Sequence, residues 1–150
     1  MPFIRLFYHL IWSTKNRLPL IAPELETKLF PYLRLKADEL ECKILAVGGW
    51  QDHIHLVIEI PPKRSVAEVI KRLKGASSHE FSELYWQRGY GALTISERNL
   101  DAALTYVNQQ KERHILQTII GKLERCDDAA EEIKTARDES AEYVFHDDAI

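Results

Sequence analysis

Asp52-His53-Ile54-His55-Leu56-Val57-Ile58-Glu59-Ile60 decides how the rest of this chain is read. Apolar residues at every second position, Ile54 to Ile60, predict a β-strand. Its period of two sends Ile54, Leu56, Ile58 and Ile60 to one face and His53, His55, Val57 and Glu59 to the other. Side chains two apart on a strand lie roughly 6.5–7 Å from each other, so two imidazoles can converge on one metal ion at about 2 Å from each. An isolated His-x-His is equally a pair of half-exposed surface imidazoles, so the neighbouring sequence has to decide.

Upstream, Lys43-Ile-Leu-Ala-Val-Gly48 is a second strand. It runs through the turn-like Gly49-Trp50-Gln51-Asp52 into the first and makes a β-hairpin. Downstream, Pro61-Pro62 ends the strand, and Ser65 with Glu68 three residues later forms a capping box that opens a helix to about Leu84. Tyr90–Ile95 is a further strand, and Ser96 caps a helix from Glu97 to about Thr118. At the N-terminal side, residues 3–13 are rich in Phe, Ile, Tyr and Trp and read as a strand. Pro23 to about Glu41 carries apolar residues at helical spacing, with Pro31 a candidate kink. The order β-α-β-β-α-β-α predicts an α+β, ferredoxin-like antiparallel sheet backed by helices, with an extra C-terminal helix that carries Tyr106.

The 150 residues, 45% of them hydrophobic, suffice for one core, and no linker divides them. We assign residues 1–120 to a single catalytic domain and 121–150 to an acidic C-terminal helix and tail of the same domain. That last segment holds ten acidic and four basic side chains, so the net charge of −3 hides a mildly basic body with sixteen basic against thirteen acidic side chains. The acidity of residues 124–148 places them away from the substrate path or in a regulatory or dimer-packing role. Cys42 and Cys126 are far apart and form no CxxC pair, which fits a reducing cytoplasm. The apolar N-terminus carries Arg5 and His9 and lacks a small-residue cleavage site, so it reads as a strand rather than a leader.

On the last long helix, Tyr106, Gln110 and His114 are four residues apart and form a polar stripe. This stripe flanks the apolar one of Leu100, Leu104 and Val107 and can reach a sheet from the border of the buried face. Lys63, Arg64, Lys71, Arg72 and Lys74 gather positive charge around the capped helix, and Lys15 and Arg17 follow the first strand. Such groups are either an ordinary solvated helix face or contacts for DNA phosphates, the functional alternative. Trp50 and Trp86 are either core residues or platforms for an unpaired base. The chain has neither a GxxxxGK[ST] loop nor an RNP-like aromatic run.

Five stretches in order, Tyr8-His-Leu-Ile-Trp-Ser-Thr-Lys15, Gly48-Gly-Trp-Gln-Asp-His-Ile-His-Leu-Val57, Lys74-Gly-Ala-Ser-Ser78, Trp86-Gln-Arg-Gly-Tyr-Gly91 and Tyr106 through His114, carry a resemblance. Over residues 3–118 the chain resembles the single-tyrosine transposases of the insertion-sequence 200/605 group, in the histidine-hydrophobic-histidine endonuclease superfamily. The resemblance implies Tyr106 as nucleophile and His53, His55 and Gln110 as ligands of Mg²⁺ or Mn²⁺. It implies a 5′-phosphotyrosine intermediate on hairpin-bearing single-stranded DNA, and a homodimer whose active site can be shared between subunits. A phenol of ordinary pKa about 10 needs help to ionise; His114 is the candidate base. The alternatives are a domesticated DNA-binding relative that has lost catalysis, and a metal-dependent hydrolase that uses water in place of Tyr106.

Overall fold

The computed structural model describes residues 2–116 and 119–126. Four strands, β1 (Phe7–Ser13), β2 (Lys43–Trp50), β3 (His53–Glu59) and β4 (Gly91–Ile95), form one sheet in the order β2-β3-β1-β4 with every pair antiparallel. This is the ferredoxin-like arrangement that the element order predicts. The central pairing sets β1 on β3 with Ile11 opposite His55, Ser13 opposite His53 and His9 opposite Val57.

Alternation along each strand divides the sheet into two working faces. Leu10, Trp12, Ile54, Leu56 and Ile58 face helices α1 (Pro23–Glu39) and α2 (Val66–Glu80) and form the larger core with Leu25, Leu29, Leu33, Val69, Ile70 and Leu73. Phe7, Ala46, Val57 and Ile95 point the other way, against Ala103 and Val107 of α3 (Leu100–Asn108). The two histidines share this second face with Val57. In β2 the register shifts between Ile44 and Ala46, and this bulge puts Leu45 and Ala46 both on the α3 side.

The sequence accounts for most element ends. Pro23 starts α1, and the Ser65 side chain accepts from the Glu68 N–H at 3.1 Å to cap α2, an interaction of about 1 kcal/mol. α1 continues through Pro31 as one helix. Three expectations shift. β1 begins at Phe7 rather than residue 3, because its partner β3 ends at Glu59 and the following Pro61-Pro62 has no N–H to extend the ladder. α2 ends at Glu80, about a turn before Leu84; the chain turns back at Phe81 so that the Trp86 indole donates to Ser77 Oγ at 2.8 Å and packs edge-on to Trp12. The single helix expected from Glu97 is a 3₁₀ turn at Glu97–Asn99, then α3, then α4 (Gln110–Leu116). Regular helix is interrupted at Gln109, whose φ of −102° and ψ of 18° are not helical.

The expected end of that helix at Thr118, and the acidic tail from 127 onward, lie outside the described residues. Of the segment that opens the tail, Gly121–Glu124 forms a 3₁₀ turn. Among the described residues no helix is long and apolar enough to cross a membrane.

A β-carbon on Gly48 would run into the carbonyl oxygen of Val107, so the glycine lets α3 settle directly onto β2 beside His55. Gly75, in the middle of α2, has open space around it. Gly48→Ala should therefore lower stability in urea unfolding by about 1–3 kcal/mol. Gly75→Ala should raise it by about 0.5–1 kcal/mol through helix propensity.

Candidate active site

His53 and His55 are fully enclosed on the α3 face of β3, and a third imidazole, His9 of β1, lies beside them. Tyr106 and Gln110 come down from α3 and α4, each only 1% exposed, and His114 follows one turn later. The polar stripe does reach the sheet, but Tyr106 and Gln110 are buried rather than at the border, because residues 120–124 fold back across them, while His114 stays partly exposed. Ile120 and Leu123 pack on the Tyr106 ring.

That return segment delivers Glu124. Its carboxylate lies 3.1 Å from His53 Nε2 through Oε1 and 2.8 Å from His55 Nε2 through Oε2, and Oε1 is 3.2 Å from His114 Nε2. The phenol of Tyr106 donates to Glu124 Oε2 at 2.9 Å and accepts from the Ile120 N–H at 3.0 Å. One carboxylate thus joins three imidazoles and the tyrosine, all within a single chain. The expectation that the acidic segment stands away from the reactive groups is wrong for Glu124. Gly91 leaves room for the Arg125 carbonyl against β4, which turns the chain back toward the site.

Each histidine of the pair has a partner behind it. The Nδ1 of His53 lies 2.7 Å from Asp52 Oδ1, and the Nδ1 of His55 lies 2.8 Å from His9 Nε2. Burial alone would lower the pKa of His53, but the hydrogen bonds and charges of Asp52 and Glu124 outweigh it and raise the value to about 8. His55 has only burial and its neighbours' positive charge to contend with beyond Glu124, and its pKa is lowered. His9, deep in the sheet with His55 beside it, is pushed down to about 3 and stays neutral. Burial would raise the Glu124 pKa; the surrounding imidazoles, His55 foremost, hold it far below the usual carboxylate range. Burial and the Glu124 charge together push the Tyr106 phenol upward.

The ligand atoms of His53, His55 and Glu124 all lie within 4.8 Å of one another, a spacing that can hold a metal ion. Two further features suit an ion. His55 Nε2 and Glu124 Oε2 face each other at 2.8 Å, and the buried Oε1 of Gln110 has no hydrogen-bond partner among the described residues. The amide's Nε2 donates to the Tyr106 carbonyl at 3.4 Å, which leaves the oxygen available as a ligand. Two imidazoles with a carboxylate and an amide oxygen form a borderline-hard set that accepts Mn²⁺ readily and Mg²⁺ with added oxygens.

The family described as "Transposase IS200 like" matches residues 3–110, most of the described chain. The chain belongs to the IS200-like transposase family. It is 27% identical to the ISDra2 transposase TnpA of Deinococcus radiodurans over 121 residues, 73% of this chain and 86% of that protein. It is 31% identical to the transposase for insertion sequence element IS200 of Salmonella typhimurium over 117 residues, 70% of this chain and 76% of that one. A crystal structure of a putative transposase from Deinococcus radiodurans R1 superposes with a TM-score of 0.59 at 27% identity, covering 73% of this chain and 93% of that one. A REP-associated tyrosine transposase bound to a REP hairpin shares the fold at a TM-score of 0.61 and 13% identity, covering 76% and 72%. Membership makes this IS200-like transposase an enzyme of DNA cleavage and recombination.

Glu124 lies beyond the stretch that the family matches, and no local pattern marks it. His9 and Asp52 are visible in the sequence, His9 on the same period-two face as Phe7 and Ile11, and Asp52 next to the first histidine. The basic residues divide by layer. Arg17 is 3.8 Å from Asp52, behind His53, and Lys15 is exposed nearby in sequence. Lys63 pairs with Glu41 at the surface, Arg64 with Glu68 and the Leu40 carbonyl, and Lys74 donates to the carbonyls of Gln87 and Gly89. Lys71 and Arg72 are exposed on α2, across the sheet from the histidines, and form no ion pair among the described residues. Trp50 stacks on His114 with ring centroids 5.2 Å apart, and Trp86 is half-buried against Trp12.

In EDTA-treated protein His53 should titrate near pH 8. The stability it confers is fully present below its unfolded value of about 6.5 and is lost as pH rises through about 8. Asp52→Asn removes a partner that raises this value, so His53 should titrate at lower pH in the variant, as read by imidazole NMR. An unchanged titration would rule out Asp52 as the cause.

Proposed function

We propose that this transposase cuts and rejoins single-stranded DNA at hairpin-bearing ends, with Tyr106 as nucleophile. The observation that carries the reading is the Tyr106 hydroxyl at 2.9 Å from a carboxylate that also touches both histidines of the His-x-His pair. In the reaction the Tyr106 oxygen attacks phosphorus in line, a phosphorus–oxygen bond to the 3′ side breaks, and a 5′-phosphotyrosine and a free 3′-OH result. Reversal by an incoming 3′-OH rejoins the strand, so the bond energy is conserved and no nucleotide cofactor is required.

His53 and His55, with Gln110 and Glu124, would hold Mg²⁺ or Mn²⁺. When bound, such an ion supplies positive charge to the phosphate oxygens. The chain's own groups do the rest. Glu124 Oε2 is positioned to take the phenol proton, a role for which the sequence points only to His114. The Ile120 N–H donates to the same phenol oxygen and favours negative charge on it. Lys15 and Arg17 are placed to meet phosphates near the histidine strand, and Lys71 and Arg72 to meet a second DNA segment across the sheet. The homodimer implied by the resemblance would hold two such sites, each with its own tyrosine.

Labelled single-stranded DNA from the flanks of the gene, incubated with Mn²⁺ and resolved on denaturing gels, should give a protein-linked strand. EDTA or Tyr106→Phe should abolish it, by about 10³-fold or more. Cleavage that survives the Phe substitution would assign the reaction to water. Binding without cleavage would favour a domesticated relative. Mixing Tyr106→Phe with His55→Ala protein tests sharing: a tyrosine that serves its own chain predicts no recovery of the covalent species, and recovery would show a shared site. Lys71→Ala with Arg72→Ala should weaken hairpin binding and flatten its salt dependence, by about 0.7–0.9 in log–log slope for each phosphate no longer neutralised.

A further inference from the structure

His9 has no role in the chemistry described so far, yet it is a polar ring enclosed at 1% exposure in the centre of the sheet. Its position follows from register. His9 lies opposite Val57 on β3 and opposite Leu93 on β4, which makes His55 its diagonal neighbour on the same face. The two rings lie nearly parallel, with centroids 5.0 Å apart, and His9 Nε2 is 2.8 Å from His55 Nδ1. One proton occupies that short contact, and its owner decides what the far side of His55 can do.

A neutral imidazole carries one N–H and one lone pair. If His9 donated, His55 would carry its proton on Nε2, where it could not bind a cation. If His55 donates from Nδ1, its Nε2 presents a lone pair toward Glu124 and Gln110. The surroundings favour the second arrangement. His55 Nε2 lies 2.8 Å from Glu124 Oε2 in a cluster whose ligand atoms are all within 4.8 Å of one another, so a cation shared by the two requires the lone pair on Nε2. His53 shows the same design, with Asp52 Oδ1 taking its Nδ1–H at 2.7 Å.

We infer that His9 is a positioning residue that accepts the Nδ1–H of His55 and so fixes the tautomer in which His55 Nε2 ligates the divalent ion. The inference rests on the metal reading of the His53–His55 site. It also gives the pair two unlike supports, a carboxylate behind His53 and a neutral ring behind His55. A carboxylate would add a buried negative charge in the middle of the sheet, where burial without a close cation is costly. A neutral acceptor fixes the tautomer without that charge. Partners behind a ligating histidine change metal affinity by about 10–100-fold.

The test uses the full chain and Mn²⁺, with binding followed by the loss of the free-ion electron paramagnetic resonance signal. His9→Leu should weaken Mn²⁺ binding by about 10–100-fold, while His9→Gln, which restores an acceptor oxygen, should stay within about 3-fold of wild type. Long-range ¹⁵N–¹H correlation spectra of the wild type loaded with diamagnetic Zn²⁺ should show the His55 proton on Nδ1. Equal Mn²⁺ affinity in wild type and folded His9→Leu would overturn the role of His9, as would a His55 proton on Nε2 in the loaded protein. If His9→Leu does not fold, the wild-type spectrum and His9→Gln still decide. A wild type that binds no Mn²⁺ would overturn the metal reading and this inference together. Mn²⁺ binding without a covalent DNA product would reject the tyrosine chemistry and leave the role of His9 intact.

Discussion

The backbone contact between Gly48 and Val107 governs the geometry of everything functional. Gly48 pairs with His55 across β2 and β3, and Val107 is the residue after Tyr106, so one missing side chain on an edge strand sets the distance between the tyrosine helix and the histidine pair. Interiors are packed too tightly for a helix to approach a sheet this closely over a larger residue. With α3 seated there, Ala103 and Val107 close the smaller core against Phe7, Val57 and Ile95, and Tyr106 is left facing His55 with ring centroids 5.9 Å apart.

Around that contact the chain gathers polar groups that would be costly to bury singly. Three imidazoles, a phenol, an amide and a carboxylate share a region with little access to water. Unpaired, each would oppose folding by roughly 1–3 kcal/mol. Here nearly every one is compensated by another: Asp52 behind His53, His9 behind His55, Glu124 between the rings and the phenol. The Gln110 oxygen has no partner among the described residues, and a cation-binding site is where such an orphan is expected. The cluster is thus a functional device whose members also satisfy one another.

The sequence is most legible where a period can be counted. Alternation from His53 to Ile60 places both histidines on one face, and spacing by four puts Tyr106, Gln110 and His114 on one side of their helix; both hold in the structure. The Ser65 cap and Pro61-Pro62 locate α2, and the element order leads to the correct sheet. Relations set by tertiary path are not legible. Glu124 reaches the site because the chain reverses after α4 and lodges against Gly91, and no local pattern encodes that reversal. The partnership of His9 with His55 depends on the register between β1 and β3, which hydrophobic alternation fixes only to within a shift of two residues. The interruption at Gln109 has no Pro or Gly to announce it.

The Tyr106 phenol is 1% exposed and hydrogen-bonded at both lone pair and proton, so it is shielded from any partner in solution. If Tyr106 is the attacking group, DNA meets it only in the fraction of molecules in which the side chains of Ile120 and Leu123 have moved aside, and apparent affinity and rate both scale with that fraction. Substitutions in the 119–126 segment can then alter turnover without touching either the reacting atoms or the DNA. Discrimination between DNA ends acquires a second origin in this arrangement: an end that helps to draw the segment away gains over one that binds equally well but leaves it in place.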